Sequence, residues 1–295
     1  MNSQSDLQCG ESMSINHYIC LDGEFRRDNE PRLFTANRVF RFNDAVTENI
    51  HASATESQFL DSHIERLTEQ MKQLSMQIPL YLNTSNFRKL ITDLLNKNRI
   101  FGGAHIRLTV FRNNSDEMIP TVNEVSFQIE STPLAHSRYE INDKGLTIGI
   151  SDYIRPSGRT AQIHRAHMSL FLLAAIEGKN SGLDRVILLN EAGRLTETTD
   201  SNLFLVSRNS IFTPSLQQGC IDGIMRKIIV DIATKAGFRV NDQSSLTPSA
   251  LLDAEEIFLT NAVNGIRWVG AFQQKRYFSK AARLLNGILN RLAFE

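Results

Sequence analysis

Residues 182–206 read GLDRVILLNEAGRLTETTDSNLFLV, two apolar runs separated by a polar one. The first run, 185–190 (RVILLN), is short, contains β-branched residues and ends in Asn-Glu-Ala-Gly, the pattern of a buried strand entering a tight turn. A second strand is predicted at 203–207. Between them, 196–202 (TETTDSN) is too polar for core, so the spacing predicts a loop bracketed by two core strands. A carboxylate held there is partly desolvated, which is costly unless a cation or a hydrogen-bond donor faces it. Glu197 is therefore the residue that needs a partner. Taken alone, the same composition also fits a plain β-connection whose Thr, Asp, Ser and Asn satisfy their own backbone.

The chain has 295 residues, with 32 Lys and Arg against 32 Asp and Glu. No net field draws it to nucleic acid or to a lipid surface. The length suits one large domain or two of ordinary size. Residues 1–14 are polar, unlike a signal peptide, and no later stretch is apolar for long enough to span a bilayer. Cys9, Cys20 and Cys220 are odd in number, scattered and without metal-ligand spacing, as in a reducing compartment. A soluble, cytoplasmic protein is the expectation.

Residues 1–16 lack periodicity and read as a mobile extension. A strand at 17–21 turns at Asp22-Gly23 into a hairpin. Leu60, Ile64, Leu67, Met71 and Leu74 fall on one helical face, closed by Pro79, and a second amphipathic helix follows at 87–96. Residues 104–112 alternate in period two, with His105 and Arg107 on the outer face. That pair could grip a carboxylate or simply decorate an exposed sheet. A strand at 125–130 precedes the polar, proline-containing run 131–138, read as a linker with a domain boundary near 133. Then come a strand at 145–150, an irregular loop at 151–161, a helix at 168–177 with the apolar density of buried sequence, and a strand at 211–214. A glycine turn at 218–223 leads into a helix at 224–233, an order that presents main-chain N–H groups to an anion. Thr247-Pro248 marks a helix start, 256–262 a strand, and 279–292 a final amphipathic helix.

The wording of several segments goes beyond composition. LLNE, a glycine, TE and then SNLF resemble the core signature of class IV pyridoxal-phosphate enzymes, the branched-chain and D-amino-acid aminotransferases and aminodeoxychorismate lyase. Residues 37–49 resemble that family's N-R-x-F-R-Y-G-D-G-x-F-E-T. They keep Asn37, Arg38, Phe40, Arg41, Asp44 and Glu48, and depart at Asn43, Ala45, Thr47 and Asn49. Residues 63–67 resemble H-x-x-R-L, 223–226 resemble G-I-T-R, and 256–260 resemble E-x-F-L-T.

The resemblance covers nearly the whole chain after residue 16. It implies an α/β (α+β), two-domain fold of the D-amino-acid aminotransferase type, with a small domain at 17–133, a large one at 134–295 and the site in the cleft between them. It implies that Glu197 bonds the cofactor's pyridine nitrogen and that Arg66 clamps its phosphate, a task suited to a planar, permanently charged fork. The backbone of Ile224 and Met225 would hold the same phosphate, with Thr260 and Asn261 donating nearby. Without the resemblance, Arg66 reads as a solvated helix charge and His63 as a half-buried histidine. Arg41, His105, Arg107, Arg165 and His167 are the substrate-pocket candidates. A homodimer whose partner lends residues to each cleft, and a small amino or keto acid as substrate, also follow from the resemblance.

One part of the pattern is missing. The family carries its cofactor as a Schiff base on a lysine shortly before the LLNE strand, and counting back from Glu197 places His164 there, within QIHRAHM. Lys144 lies on the preceding strand and Lys179 at the far end of the helix. Imidazole moves protons near neutral pH but forms no imine. Three readings follow: an enzyme on noncovalent pyridoxal 5'-phosphate or pyridoxamine 5'-phosphate with His164 as acid and base, a cofactor-free lyase or binding protein reusing the cleft, or a silent homologue kept as a partner subunit.

Overall fold

A computed structural model describes residues 17–29, 37–113, 115–158, 160–163 and 167–295. The extension at 1–16, the acid/base candidate His164 and the pocket candidate Arg165 lie outside the described residues.

Two sheets organise the chain. The first contains β1 (Tyr18–Leu21), β2 (Glu24–Arg27), β3 (Ala45–Ser53), β4 (Glu56–Ser57), β5 (Gly103–Arg112) and β6 (Val125–Pro133). All its pairings are antiparallel, in the order β2-β1-β6-β5-β3-β4. A short helix α1 (Arg38–Phe42) precedes β3, and α2 (Leu60–Gln73) and α3 (Thr84–Lys97) cover one face. Period-two alternation sends Val46, Glu48 and Ile50 to the helix side, where Leu60, Ile64 and Leu67 of α2 and Phe87 and Ile91 of α3 meet them. Each such apolar side chain contributes about 1.5–3 kcal/mol when fully buried. Glu48 is carried into that core by the same alternation. Thr47 and Asn49 face the other way.

The second sheet contains β7 (Leu146–Ile154), β8 (Arg185–Leu189), β9 (Leu195–Thr198), β10 (Asn202–Ser207), β11 (Ser210–Pro214), β12 (Arg239–Ser244), β13 (Glu256–Asn261), β14 (Gly265–Phe272) and β15 (Lys275–Arg276). The path runs β12-β11-β10-β13-β14-β7-β8-β9, and β9 pairs back to β10 through Glu197 and Asn202. Six strands are thereby closed into a ring, filled by residues such as Ile148, Ile187, Leu195, Leu203, Leu259 and Val269. Outside it, α5 (Ile224–Lys235) and α7 (Lys280–Phe294) pack on β10, β13 and β14. The helix α4 (Met168–Asn180) lies on β7 and β8, and α6 (Ser249–Asp253) leads into β13. The mixed α/β class expected from the sequence is the one observed.

Three local expectations change. Residues 195–198 are a fully buried strand rather than the first half of a polar loop, because their hydroxyls find internal partners: Thr196 Oγ1 donates to Leu188 O at 2.8 Å and Thr198 Oγ1 to Ser201 O at 3.1 Å. The helix α4 is apolar on all sides but buries only Phe171, Ala174 and Gly178, leaving Leu172 61 % exposed. The run at 131–138 is no loose linker: β6 continues to Pro133, and buried Tyr139 just beyond is held by Asn286 and Asn290 of α7. Among the described residues, no helix is long and apolar enough to cross a membrane.

Candidate functional site

Parts of both sheets line one cavity of about 540 Å³. Thr47, Asn49 and His105 come from the first sheet, and Arg66 and Gln70 from α2. The opposite wall is Glu197 to Asn202, the start of α5, and the turn from Thr260 to Asn264.

Arg66 reaches the cavity from the helix that covers β3, and Glu48 fixes it there. Arg66 Nε donates to Glu48 Oε1 at 2.9 Å, Nη2 donates to Glu48 Oε2, and Nη1 donates to Asp222 O at 3.3 Å. His63, one turn earlier on α2, places Nδ1 2.6 Å from Glu48 Oε2. Burial alone would raise the Glu48 carboxyl, but the Arg66 charge and the two sets of hydrogen bonds bring it down to about 2. Burial, opposed by Glu48, holds His63 below its ordinary value. The guanidinium keeps one hydrogen on each terminal nitrogen for a ligand anion.

Glu197 meets a different partner. Arg155, at the end of β7 and fully buried, donates Nε–H to Glu197 Oε1 at 2.9 Å and Nη2–H to Ala161 O at 2.7 Å. Its guanidinium also stands 5.2 Å from the Phe171 ring centre. The backbone N–H of Ile221 donates to Glu197 Oε2 at 2.9 Å. Burial pushes the Glu197 carboxyl up, and Arg155 and Ile221 offset that only in part. Both oxygens retain acceptor capacity toward the cavity.

An anion cradle completes the arrangement. Helix α5 begins at Ile224 with no side chain capping its first N–H groups. A Cβ on Gly223 would lie 2.1 Å from Asn202 Oδ1, and Asn202 Nδ2 donates to Ile221 O at 2.8 Å, so the turn needs a glycine there. Thr260 Oγ1 is buried without a partner at the cavity wall. Uncapped amides, an orphan hydroxyl and a free edge of Arg66 suit a phosphate, and Glu197 suits a ring N–H. The described donors therefore fit a pyridine ring bearing a phosphate.

The predicted residues separate into two groups. Arg66, Glu197, Ile224, Met225, Thr260, Asn261 and His105 line the cavity. Asn261 spends its side chain on the wall itself: Oδ1 accepts from Val263 N and Asn264 N, and Nδ2 donates to Ser201 Oγ. The Met225 side chain lies in the core beneath α7, so only its backbone is available to an anion. His105 places Nε2 2.8 Å from Asn49 Oδ1, and burial followed by Arg107 and His51 holds it below its usual value. Arg41, Arg107 and His167 do not line the cavity. Arg41 pairs with Asp116 at 3.0 Å, Arg107 leans to Glu130 at 3.7 Å, and His167 turns Nε2 to Thr160 O at 3.0 Å.

Arg155 and the clamp function of Glu48 escaped the sequence reading. The demand for a cation beside Glu197 was legible, but the loop that supplies it sits 42 residues earlier with no motif to mark it. Every lysine of the sequence falls among the described residues, and none lines the cavity.

Residues 45–272 match the model of the family described as "Amino-transferase class IV". A putative branched-chain-amino-acid aminotransferase of Methanocaldococcus jannaschii is 25 % identical over 253 residues, 82 % of this chain and 83 % of that one. The aminodeoxychorismate lyase of Bacillus subtilis is 25 % identical over 273 residues, 92 % of each chain. A branched-chain amino acid aminotransferase of Thermobaculum terrenum, solved in its PLP form, superposes with a TM-score of 0.82 at 20 % identity, covering 94 % of both chains. With its barrel, its cavity and more than three quarters of its length matched, this chain belongs to the class IV aminotransferase family.

Proposed function

We propose that the cavity binds pyridoxal 5'-phosphate or pyridoxamine 5'-phosphate without a covalent link, and that the protein acts on a small amino or keto acid by transamination or by lyase chemistry. One observation carries this reading: Glu197 and an anion cradle share a cavity that no lysine enters. When bound, the cofactor's protonated ring supplies an electron sink. Glu197 accepts the ring N–H while Arg155 holds the carboxylate in place. Arg66, oriented by Glu48, gives its remaining hydrogens to the phosphate beside the first amides of α5. His164, at the family's lysine position, takes the proton from the substrate's α-carbon and returns one. Two domains, 17–133 and 134–295, and a homodimer complete the proposal.

The test is absorbance on adding pyridoxal phosphate, before and after borohydride. A saturable chromophore that borohydride does not fix to the chain is expected. A covalent adduct overturns the noncovalent reading. Absence of binding favours the alternative of a cofactor-free lyase or binding protein, or a silent subunit. His164→Lys is expected to convert the reversible chromophore into one that borohydride fixes.

A further inference from the structure

Thr47 and Asn49 alternate with Glu48 along β3, so the strand that buries Glu48 under α2 turns these two side chains to the cavity. In register, Thr47 lies opposite Thr109 of β5, Asn49 opposite Arg107 and His51 opposite His105, and directly opposed residues share a face of the sheet. The sheet is therefore polar wherever it meets the cavity. The apolar side chains of Leu134, Met168 and Phe171 join the lining from outside the sheet. A polar outer face is ordinary where open water covers it. Here Thr47 and Asn49 are half-buried, and a ligand that fills the cavity strips the remaining water from them.

The hydrogen-bonding groups of this wall are only partly spent. Thr47 Oγ1 is 3.1 Å from Thr109 Oγ1, and Asn49 Oδ1 is 2.8 Å from His105 Nε2. The other end of the Asn49 amide has no partner among the described residues. Turned either way, the amide keeps one end for a ligand. An apolar ligand leaves that end buried and unpaired, which costs more than a hydrogen bond contributes.

The wall is also short of charge. Arg107 leans to Glu130 at 3.7 Å and does not line the cavity, and burial followed by Arg107 and His51 holds His105 below its ordinary value. Among the described lining residues Arg66 is the one arginine or lysine, and the phosphate takes it in the binding mode proposed above. With the ring nitrogen at Glu197 and the phosphate at Arg66 and α5, the lining left for a substrate includes this wall. Resting on that reading, we propose that the wall selects an amino acid whose side chain ends in a neutral hydrogen-bonding group, a carboxamide or a hydroxyl, and that Asn49 is the residue that reads it. A branched apolar side chain strands the Asn49 amide, and an anionic one finds no counter-charge there.

The test uses three amino acids of nearly one shape: asparagine, leucine and aspartate, each in both enantiomers. They are added to the full-length protein carrying pyridoxal phosphate, and the absorbance change of the bound cofactor is read against the same additions to free pyridoxal phosphate. Asparagine is expected to half-saturate the change at a concentration about tenfold or more below leucine and aspartate. In Asn49→Leu the asparagine and leucine values are expected to converge or reverse. Asn49→Ala, which only removes atoms, is the second variant and is expected to narrow the same gap. Because two amino acids are compared on one protein, any general loss of cofactor or fold cancels. Leucine or aspartate equal to or ahead of asparagine in the parent protein overturns the proposal, as does a gap that neither variant changes. A protein that forms no chromophore with pyridoxal phosphate defeats the underlying reading and this inference together. A chromophore that responds to none of the three defeats the inference alone.

Discussion

Glu48 in the first sheet and Glu197 at the closure of the ring are both withdrawn from water, and each faces an arginine. Around Glu48, two nitrogens of Arg66 and one of His63 converge on the carboxylate, and their sum outweighs desolvation. Around Glu197, one nitrogen of Arg155 and one backbone N–H do not, and burial wins. The difference separates two uses of the same pair of residue types. A carboxylate that receives three such bonds and is sealed from the cavity is an anchor, here for the arginine that reaches the cavity beside Asp222. One with capacity left, already pushed toward its neutral form, is poised to accept a further N–H from a ligand.

The largest expected effect comes from removing the cation on the undersatisfied side. Arg155→Met leaves Glu197 buried without its counter-charge, and loss of one member of such a pair costs about 3–5 kcal/mol. Chemical denaturation at several pH values checks it. Burial raises the folded-state pKa of Glu197, and loss of Arg155 raises it further. The ionised form is penalised as pH rises above the unfolded carboxylate value, so the deficit should be greatest at high pH and shrink as the solution is acidified into the range where Glu197 takes up a proton.

Glu48→Gln probes the anchored side. A shift from 4.5 to about 2 corresponds to about 3 kcal/mol of stability at neutral pH. The folded pKa is depressed, so this contribution is present in full above the unfolded value and is lost as pH falls through 4.5 toward 2. The Glu48→Gln deficit should therefore stay level down to about pH 5 and vanish only in strong acid. His63, also depressed, adds a milder acid destabilisation of the parent protein, starting near its ordinary 6.5. Deficits of the two variants that followed one common pH course would erase the contrast between the carboxylates.

These two systems also mark the limit of what was legible in the sequence. Helical periodicity located α2 and short apolar runs located β8 and β10, because each buries one continuous face or run, and the motif wording singled out Arg66 on the helix and Glu197 between the two strands. The partner of Glu197 was invisible, because Arg155 follows a strand whose last residues, Asp152, Tyr153 and Ile154, are exposed, and only ring closure brings it inward. The strand 195–198 was hidden for a related reason. Its threonines look like loop residues until Leu188 O and Ser201 O are known to receive their hydroxyls. Arg41 and Arg107 had cationic chemistry but no burial, and surface carboxylates take them up instead.

The smallest expected effect on stability falls on the turn where the two systems touch. Ile221 N–H bonds Glu197, Asp222 O receives Arg66 Nη1–H, and Gly223 leaves room for the Asn202 amide that pins the turn. At Gly223 φ is −69°, so alanine meets no backbone strain, only the contact with Asn202 Oδ1. That side chain has to swing away and give up its bond to Ile221 O, a loss of about 1–2 kcal/mol for Gly223→Ala. Ile221 and Asp222 would then move together, loosening at once their bonds to Glu197 and to Arg66, the two residues proposed to hold the ring nitrogen and the phosphate. Pyridoxal phosphate affinity should fall about tenfold or more, as a 1.4 kcal/mol loss requires. The telling comparison is with free phosphate, measured by its competition against pyridoxal phosphate. A variant that weakened the cofactor but left phosphate untouched would show the turn serving Glu197 alone, and the two carboxylates would then be neighbours without being linked.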